Sequence, residues 1–129
     1  MDRKEMDKAG LFIRFFGDPR PLIEPIAYTP QDTEALWPIM RVLKKVPAHG
    51  LRGYINVRIE RPALIKEAFE GTGALIGLEE LEREAGIEWC LPTDSRYGKS
   101  PLLSWKARAR DSLRAEINKA KTKAQLRLF

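Results

Sequence analysis

An unbroken helical pattern over residues 100–126 limits the folds open to this chain more than any other part of the sequence. Ser100 can cap a helix, Pro101 suits the first helical position, and no glycine or further proline interrupts the segment. Six of its apolar residues fall within one narrow arc of a helix: Leu102, Ala109, Leu113, Ile117, Ala120 and Ala124. A stripe of this length must be buried, and its alanines allow a close approach. This helix therefore has to pack against another surface, either in the rest of this chain or on a partner.

Extended segments rich in apolar residues predict strands in the rest of the chain. Residues 11–16 are aromatic and aliphatic, residues 53–60 alternate most clearly, and residues 87–91 form a third short candidate. The apolar face of the second segment comprises Ile55, Val57 and Ile59, and its opposite face comprises Tyr54, Asn56, Arg58 and Glu60. Residues 22–28 are extended in character, but Pro25 cannot donate to a strand ladder. This segment is therefore either an edge strand or an ordered loop.

Three further helices are predicted before the last one. Thr29 can cap a helix that starts at Pro30, and apolar residues then recur at helical spacing. Pro38 interrupts this pattern and predicts either a kink or two short helices. Residues 63–70 and 78–85 complete the set, separated by a glycine-rich break.

This order of strands and helices predicts an α+β fold. A length of 129 residues suits one domain. We therefore expect a single domain over residues 1–129, in which helices pack on a small sheet of three to four strands. The last of these helices is the basic helix of residues 100–126.

The positive charge of the chain is concentrated in its last segment. Residues 99–129 contain nine Lys or Arg and two acidic residues, a net charge of +7, whereas residues 1–98 hold 14 basic and 16 acidic residues, a net charge of −2. The helical cations lie along both edges of the apolar stripe: Arg110, Arg114 and Lys121 on one side, and Arg108, Lys119 and Lys123 on the other. Such an asymmetry suggests a polyanionic partner.

The function predicted from this asymmetry is non-enzymatic binding of nucleic acid, as an accessory or regulatory protein that contacts mainly backbone phosphates. The predicted contacts are Arg108, Arg110, Arg114, Lys119, Lys121, Lys123 and Arg127, with Lys99 and Tyr97 as secondary candidates. Beside the start of the helix, the Tyr97 ring could stack a base and the Lys99 cation could hold a phosphate.

Two other interpretations of the same charge stay open. An acidic run could neutralise the basic helix within the chain: Glu79, Glu80, Glu82, Glu84 and Glu88. The charged faces could instead dock on another protein or drive self-association, which would make the chain an inhibitor or adaptor. A small enzyme with a carboxylate-based site is the least favoured class.

Signatures of metal or nucleotide chemistry are missing from the sequence. One histidine, His49, and one cysteine, Cys90, cannot assemble a zinc site of the usual kind. Lys99 and Ser100 resemble the end of a phosphate-binding loop, but Thr93 occupies the position of its first glycine. We therefore predict no metal, no cofactor and no catalysis, and we expect Cys90 to be a buried, inert thiol.

The sequence also predicts a cytoplasmic protein without a membrane partner. Residues 1–10 carry three acidic side chains and no apolar stretch, and the longest apolar runs are too short to cross a bilayer. A single cysteine fits a reducing compartment.

Overall fold

The computed structural model describes residues 9–72, 77–92 and 100–126, which form a four-stranded sheet with helices packed on one face. The strands are β1 (Ala9–Phe16), β2 (Leu22–Ile26), β3 (Arg52–Ile59) and β4 (Glu88–Cys90). The helices are α1 (Pro30–Leu43), α2 (Pro62–Glu70), α3 (Leu78–Glu84) and α4 (Ser100–Leu126). The predicted α+β fold with a small sheet and a long C-terminal helix is confirmed.

The sheet has the strand order β2-β1-β3-β4, and each neighbouring pair is antiparallel. β1 and β3 form its centre and pair along their full length, with Ala9 opposite Ile59 and Phe16 opposite Arg52. β2 pairs only with β1, so the edge-strand alternative is the correct one for this segment. Pro25 is compatible with this position because the outer side of an edge strand needs no donors.

Alternate residues of the two central strands face the core. The buried side chains are Leu11, Ile13 and Phe15 of β1 and Ile55, Val57 and Ile59 of β3. Because successive side chains in a strand point to opposite faces, all of them lie on the side that the helices cover. The apolar face predicted for β3 is thereby confirmed.

α1 is one continuous helix from Pro30 to Leu43, and the alternative of two short helices at Pro38 is wrong. Thr29 caps the helix, because its side-chain oxygen accepts a hydrogen bond from the Asp32 amide at 3.1 Å. The hydrogen bond missing at Pro38 is tolerated because tertiary packing holds the helix on both sides of the proline. The buried side chains that do so include Leu36, Ile39, Met40 and Leu43.

α4 packs on the rest of the molecule through the predicted apolar stripe. The stripe residues Leu102, Ala109, Leu113, Ile117 and Ala120 are buried, and Ala124 is half-buried. Trp105 is also buried and donates its indole N–H to the Val46 carbonyl oxygen at 3.3 Å. Its ring meets that of Phe15 edge-on, with centroids 5.0 Å apart. The basic helix is therefore part of the core and not a free arm.

Candidate nucleic-acid interface

One edge of α4 is engaged by the acidic helix α3. Arg110 donates to both carboxylate oxygens of Glu82, from Nε at 2.9 Å and from Nη2 at 2.5 Å. Arg114 donates to Glu79 at 2.5 Å and to Asp111 at 2.7 Å. The hydrogen bonds to Glu82 and Glu79 raise the pKa of Arg110 and Arg114, and the bond from Arg114 lowers the pKa of Glu79. Two predicted phosphate contacts are therefore already paired within the chain.

The cations on the other edge of α4 face solvent. Arg108, Lys119 and Lys123 are exposed, and Lys119 lies 3.5 Å from the Glu116 carboxylate. Lys121, on the α3 side, is half-buried. Within the described ranges of the chain, Arg108, Lys121 and Lys123 form no ion pair. The other predicted contacts, Tyr97, Lys99 and Arg127, lie outside the described residues.

The face of the sheet opposite to the helices carries a mixed aromatic and basic surface, here named the open sheet face. Its members are Phe12, Arg14 and Phe16 of β1, Leu22, Glu24 and Ile26 of β2, Arg52, Tyr54, Asn56 and Arg58 of β3, and Glu88 and Cys90 of β4. Its large apolar side chains are substantially exposed, at 53% for Phe16, 48% for Leu22 and 43% for Ile26 and Tyr54. Contiguous exposed surface of this kind marks interaction sites.

An aromatic pair lies at the centre of the open sheet face. The rings of Phe12 and Tyr54 have centroids 5.3 Å apart and are inclined at 32°. The guanidinium carbon of Arg14 lies 4.9 Å from the Phe12 centroid, within cation–π range, and an Arg14 nitrogen lies 3.9 Å from the Glu24 carboxylate. The register accounts for this cluster, since it sets Arg14 opposite Tyr54 and Phe12 opposite Asn56. The Arg14 guanidinium therefore lies over the Phe12 ring, and the Tyr54 ring lies next to that ring.

Two more arginines flank the aromatic pair along β3. Arg52 stands opposite Phe16 at one end of the strand, and Arg58 stands opposite Gly10 and Glu88 towards the other. The open sheet face therefore carries three arginines and two glutamates within its strands, and Glu60, which the alternation of residues 53–60 places on the same side, directly follows β3.

None of these sheet residues is among the predicted contacts, although part of their pattern is visible in the sequence. Tyr54, Asn56 and Arg58 form the face opposite to the apolar one predicted for residues 53–60. In β1, Phe12 and Arg14 alternate with buried positions in the same way. What the sequence does not reveal is the strand register that brings Phe12 to Tyr54.

A groove of about 630 Å³ lies between α1, α2 and α4. Its apolar lining includes Trp37, Val42 and Phe69, and its charged lining includes Arg41, Lys45, Lys66, Glu34, Glu70 and Glu116. Lys66 spans part of the groove to Glu34 at 3.2 Å. Since charges of both signs line it, no single class of ligand is selected.

The described residues contain no group of His, Cys, Asp and Glu that could hold a metal ion. In the same part of the chain, no helix combines the length and the apolar character needed to span a bilayer. Cys90 is half-buried at the border of the open sheet face, so the prediction of a buried thiol is wrong. Partial burial nevertheless raises the pKa of the thiol, with the Glu88 charge as a second cause, which disfavours the reactive thiolate.

Comparisons with known protein families, with characterised proteins and with solved structures find no match for this chain. Its function is therefore inferred from its own residues and their geometry.

Proposed function

We propose that this chain binds single-stranded nucleic acid on the open sheet face, as a non-enzymatic accessory or regulatory protein. The observation that carries the proposal is the Phe12–Tyr54 pair with Arg14 beside it. Bases of a single strand stack on aromatic rings, and arginine adds a cation–π contribution. In one common class of RNA-binding domain, aromatic side chains on a four-stranded sheet stack the bases of single-stranded RNA in this way.

The arginines around the aromatic pair would supply the phosphate contacts, although Glu24 competes with phosphate for Arg14. Arg52 and Arg58 lie at opposite ends of β3, with Tyr54 between them, and Arg14 lies on the adjacent strand. A strand that stacks on the pair would therefore meet cations on both sides of the stacked bases. Each phosphate contact releases condensed counterions, so binding should weaken as salt is added.

A duplex suits the open sheet face less well than a single strand. Duplex bases stack on one another and pair, so their faces are not available to protein rings unless a base is flipped out. The bases of a single strand can be splayed and stacked on side chains without that cost.

The exposed cations of α4 have a secondary role in this proposal. Arg108, Lys119 and Lys123 lie on the helical side of the molecule, away from the open sheet face. They would add phosphate contacts only for a strand long enough to reach around the molecule. Arg110 and Arg114 contribute less, because their carboxylate partners compete with phosphate.

A protein partner is the second candidate, and the apolar border of the open sheet face favours it. Leu22 and Ile26 on the edge strand are nearly half exposed, and Phe16 on β1 lies diagonal to Leu22, which stands opposite Arg14. Self-association through this border predicts a dimer by light scattering that Leu22→Ser disrupts. If light scattering gives the mass of a monomer for both the wild type and the Leu22→Ser variant, self-association through this border is excluded.

Tyr54→Ala tests the proposed nucleic-acid site. Loss of one base-stacking ring is worth about 1–3 kcal/mol, so we expect roughly tenfold weaker binding of a labelled single strand in fluorescence anisotropy. Trp37→Ala is the matched control, because Trp37 is similarly exposed, at 46%, but lies on α1 on the helical side. The control should bind like the wild type. Equal affinities of the Tyr54 variant and the wild type, or no binding by the wild type at about 50 mM salt, would overturn the proposal.

A further inference from the structure

Phe16 carries the most exposed ring of the open sheet face, with 53% of the residue accessible to solvent. The half-buried ring of Phe12 contacts the Tyr54 ring and the Arg14 guanidinium. By contrast, no aromatic ring and no cation of the described part of the chain lies in stacking contact with Phe16. The Phe16 ring is therefore available to a ligand.

The strand register places Phe16 next to the aromatic pair. Tyr54 stands opposite Arg14, which lies two residues before Phe16 on β1, so Tyr54 and Phe16 are diagonal neighbours on the same face of the sheet. Diagonal neighbours lie about 7–8 Å apart, within reach of aromatic side chains. The bases of a single strand can be splayed apart and stacked on separate side chains. Two neighbouring bases can therefore occupy the two rings, one base on each.

Arg52 supplies a cation at the same end of the sheet. It is exposed and stands directly opposite Phe16 in the β1–β3 ladder. Its guanidinium lies against Gly17, the residue that follows Phe16, because a Cβ atom at Gly17 would be 3.4 Å from the Nη2 atom of Arg52. Within the described ranges of the chain Arg52 forms no ion pair, so its charge is available to a phosphate.

We propose that Phe16 is a second base-stacking ring and that Arg52 binds a phosphate beside it, an inference that rests on the proposed binding of single-stranded nucleic acid at this face. A strand whose base stacks on Tyr54 then crosses from β3 to β1, and its next base stacks on Phe16. Stacking tolerates any sequence because every base has an aromatic face. The second ring therefore adds affinity without selecting a particular base.

The test uses labelled thymine strands of one length that keep either a single base or two adjacent bases, with abasic sugars at all other positions. The backbone charge is then the same in both strands, and only the number of bases that can stack differs. The wild type should bind the two-base strand about tenfold more tightly, the gain expected of one additional stacked base. Phe16→Ala should bind the two strands with similar affinity, because it lacks the ring that holds the second base.

Further variants separate the ring of Phe16 from its apolar character. Phe16→Trp should keep the gain from the second base, whereas Phe16→Leu should lose it although leucine is also apolar. Leu103→Ala is the matched control, because Leu103 is similarly exposed, at 49%, but lies on α4, and this variant should bind both strands like the wild type. Arg52→Gln should bind both strands more weakly and keep the gain, because it removes a phosphate contact and no ring.

The outcomes separate this inference from the proposed function. Equal wild-type affinities for the two strands would overturn the second stacking ring and leave single-strand binding at Tyr54 intact. A folded Phe16→Ala variant that keeps the gain from the second base would also overturn it, and an Arg52→Gln variant that binds like the wild type would overturn the phosphate contact. Binding of no strand, including one that keeps all its bases, would overturn the proposed function itself. Circular dichroism of each variant checks that it is folded, and the wild-type comparison needs no substitution.

Discussion

At the scale of single residues, Gly10 sets how closely the two central strands approach. A Cβ atom at this position would lie 2.1 Å from the Val57 carbonyl oxygen and 3.2 Å from its carbonyl carbon. Both atoms belong to the backbone of β3, so no side-chain rotation can relieve the contact. The β1–β3 pairing that carries the aromatic pair therefore depends on a residue without a side chain.

Gly10→Ala should lower the free energy of unfolding by about 3 kcal/mol, because the new methyl group forces β1 and β3 apart. Urea denaturation followed by circular dichroism measures this loss. Gly50→Ala is the control, since a Cβ there would meet nothing within 4 Å and adds only the strain of a φ of 72°. That strain should cost about 1–2 kcal/mol. Equal losses in the two variants would contradict the close approach at Gly10.

At the scale of elements, α3 joins β4 to α4 through one carboxylate. Glu82 accepts hydrogen bonds from the Trp89 indole at 2.8 Å and from two nitrogens of Arg110. The side chains of Arg110 and Glu82 are only 29% and 15% exposed, so solvent screens this pair less than a surface pair. The acidic helix thus orients the basic helix and also neutralises part of its positive charge.

The stability of the α3–α4 contact should depend on pH through Glu79. The hydrogen bond from Arg114 is the largest cause that lowers its pKa in the folded state. Its contribution to stability is therefore present above the ordinary carboxylate pKa of 4.5 and is lost as the pH falls through the lower folded value. Glu79→Gln should consequently lose less stability than the wild type on acidification, as measured by urea midpoints at each pH.

Glu80→Gln is the matched control for this pH dependence. Glu80 is the adjacent exposed carboxylate of α3 and makes no ion pair within the described residues, so its variant should follow the wild type. If Glu79→Gln lost as much stability in acid as the wild type, the ion pair with Arg114 would have no energetic role.

At the scale of the whole molecule, cations lie on two different surfaces, and one of these surfaces also carries the aromatic pair. The helical side carries the exposed cations of α4, and the sheet side carries the aromatic pair with three arginines. The net charge of +5 alone does not distinguish these surfaces. The salt dependence of binding does, because it counts the phosphates that are contacted.

Binding through the three arginines of the open sheet face should give a slope of about −2 in log affinity against log salt, since each single-strand phosphate contributes about −0.7. Binding through the seven cations first predicted on the helix would give about −5. Anisotropy titrations over a range of salt measure the slope. Arg52→Gln should make it shallower by about 0.7, and Lys123→Gln should leave it unchanged. The reverse pattern would move the site to α4.

The spacing of apolar and polar residues along the chain predicts most of the secondary structure. The alternation of residues 53–60 and the stripe of residues 100–126 reflect which side of a single strand or helix is buried, so β3 and α4 are both visible locally. Pro38 shows the limit of such reasoning, because the packing of α1 outweighs its local preference to end a helix.

Local patterns in the sequence predict the helices and strands of this protein and the charge of its last helix, whereas tertiary packing sets which side chains meet. Arg110 and Glu82 are 28 positions apart, and they pair because α4 docks against α3. Phe12 and Tyr54 form the aromatic pair because β1 and β3 take one register, and a slip by one residue would turn these rings to the other face. The strand register and the docking of the helices are set by burial of the whole core, which depends on contacts between residues far apart in the chain. The spacing of residues within one segment does not reveal those contacts.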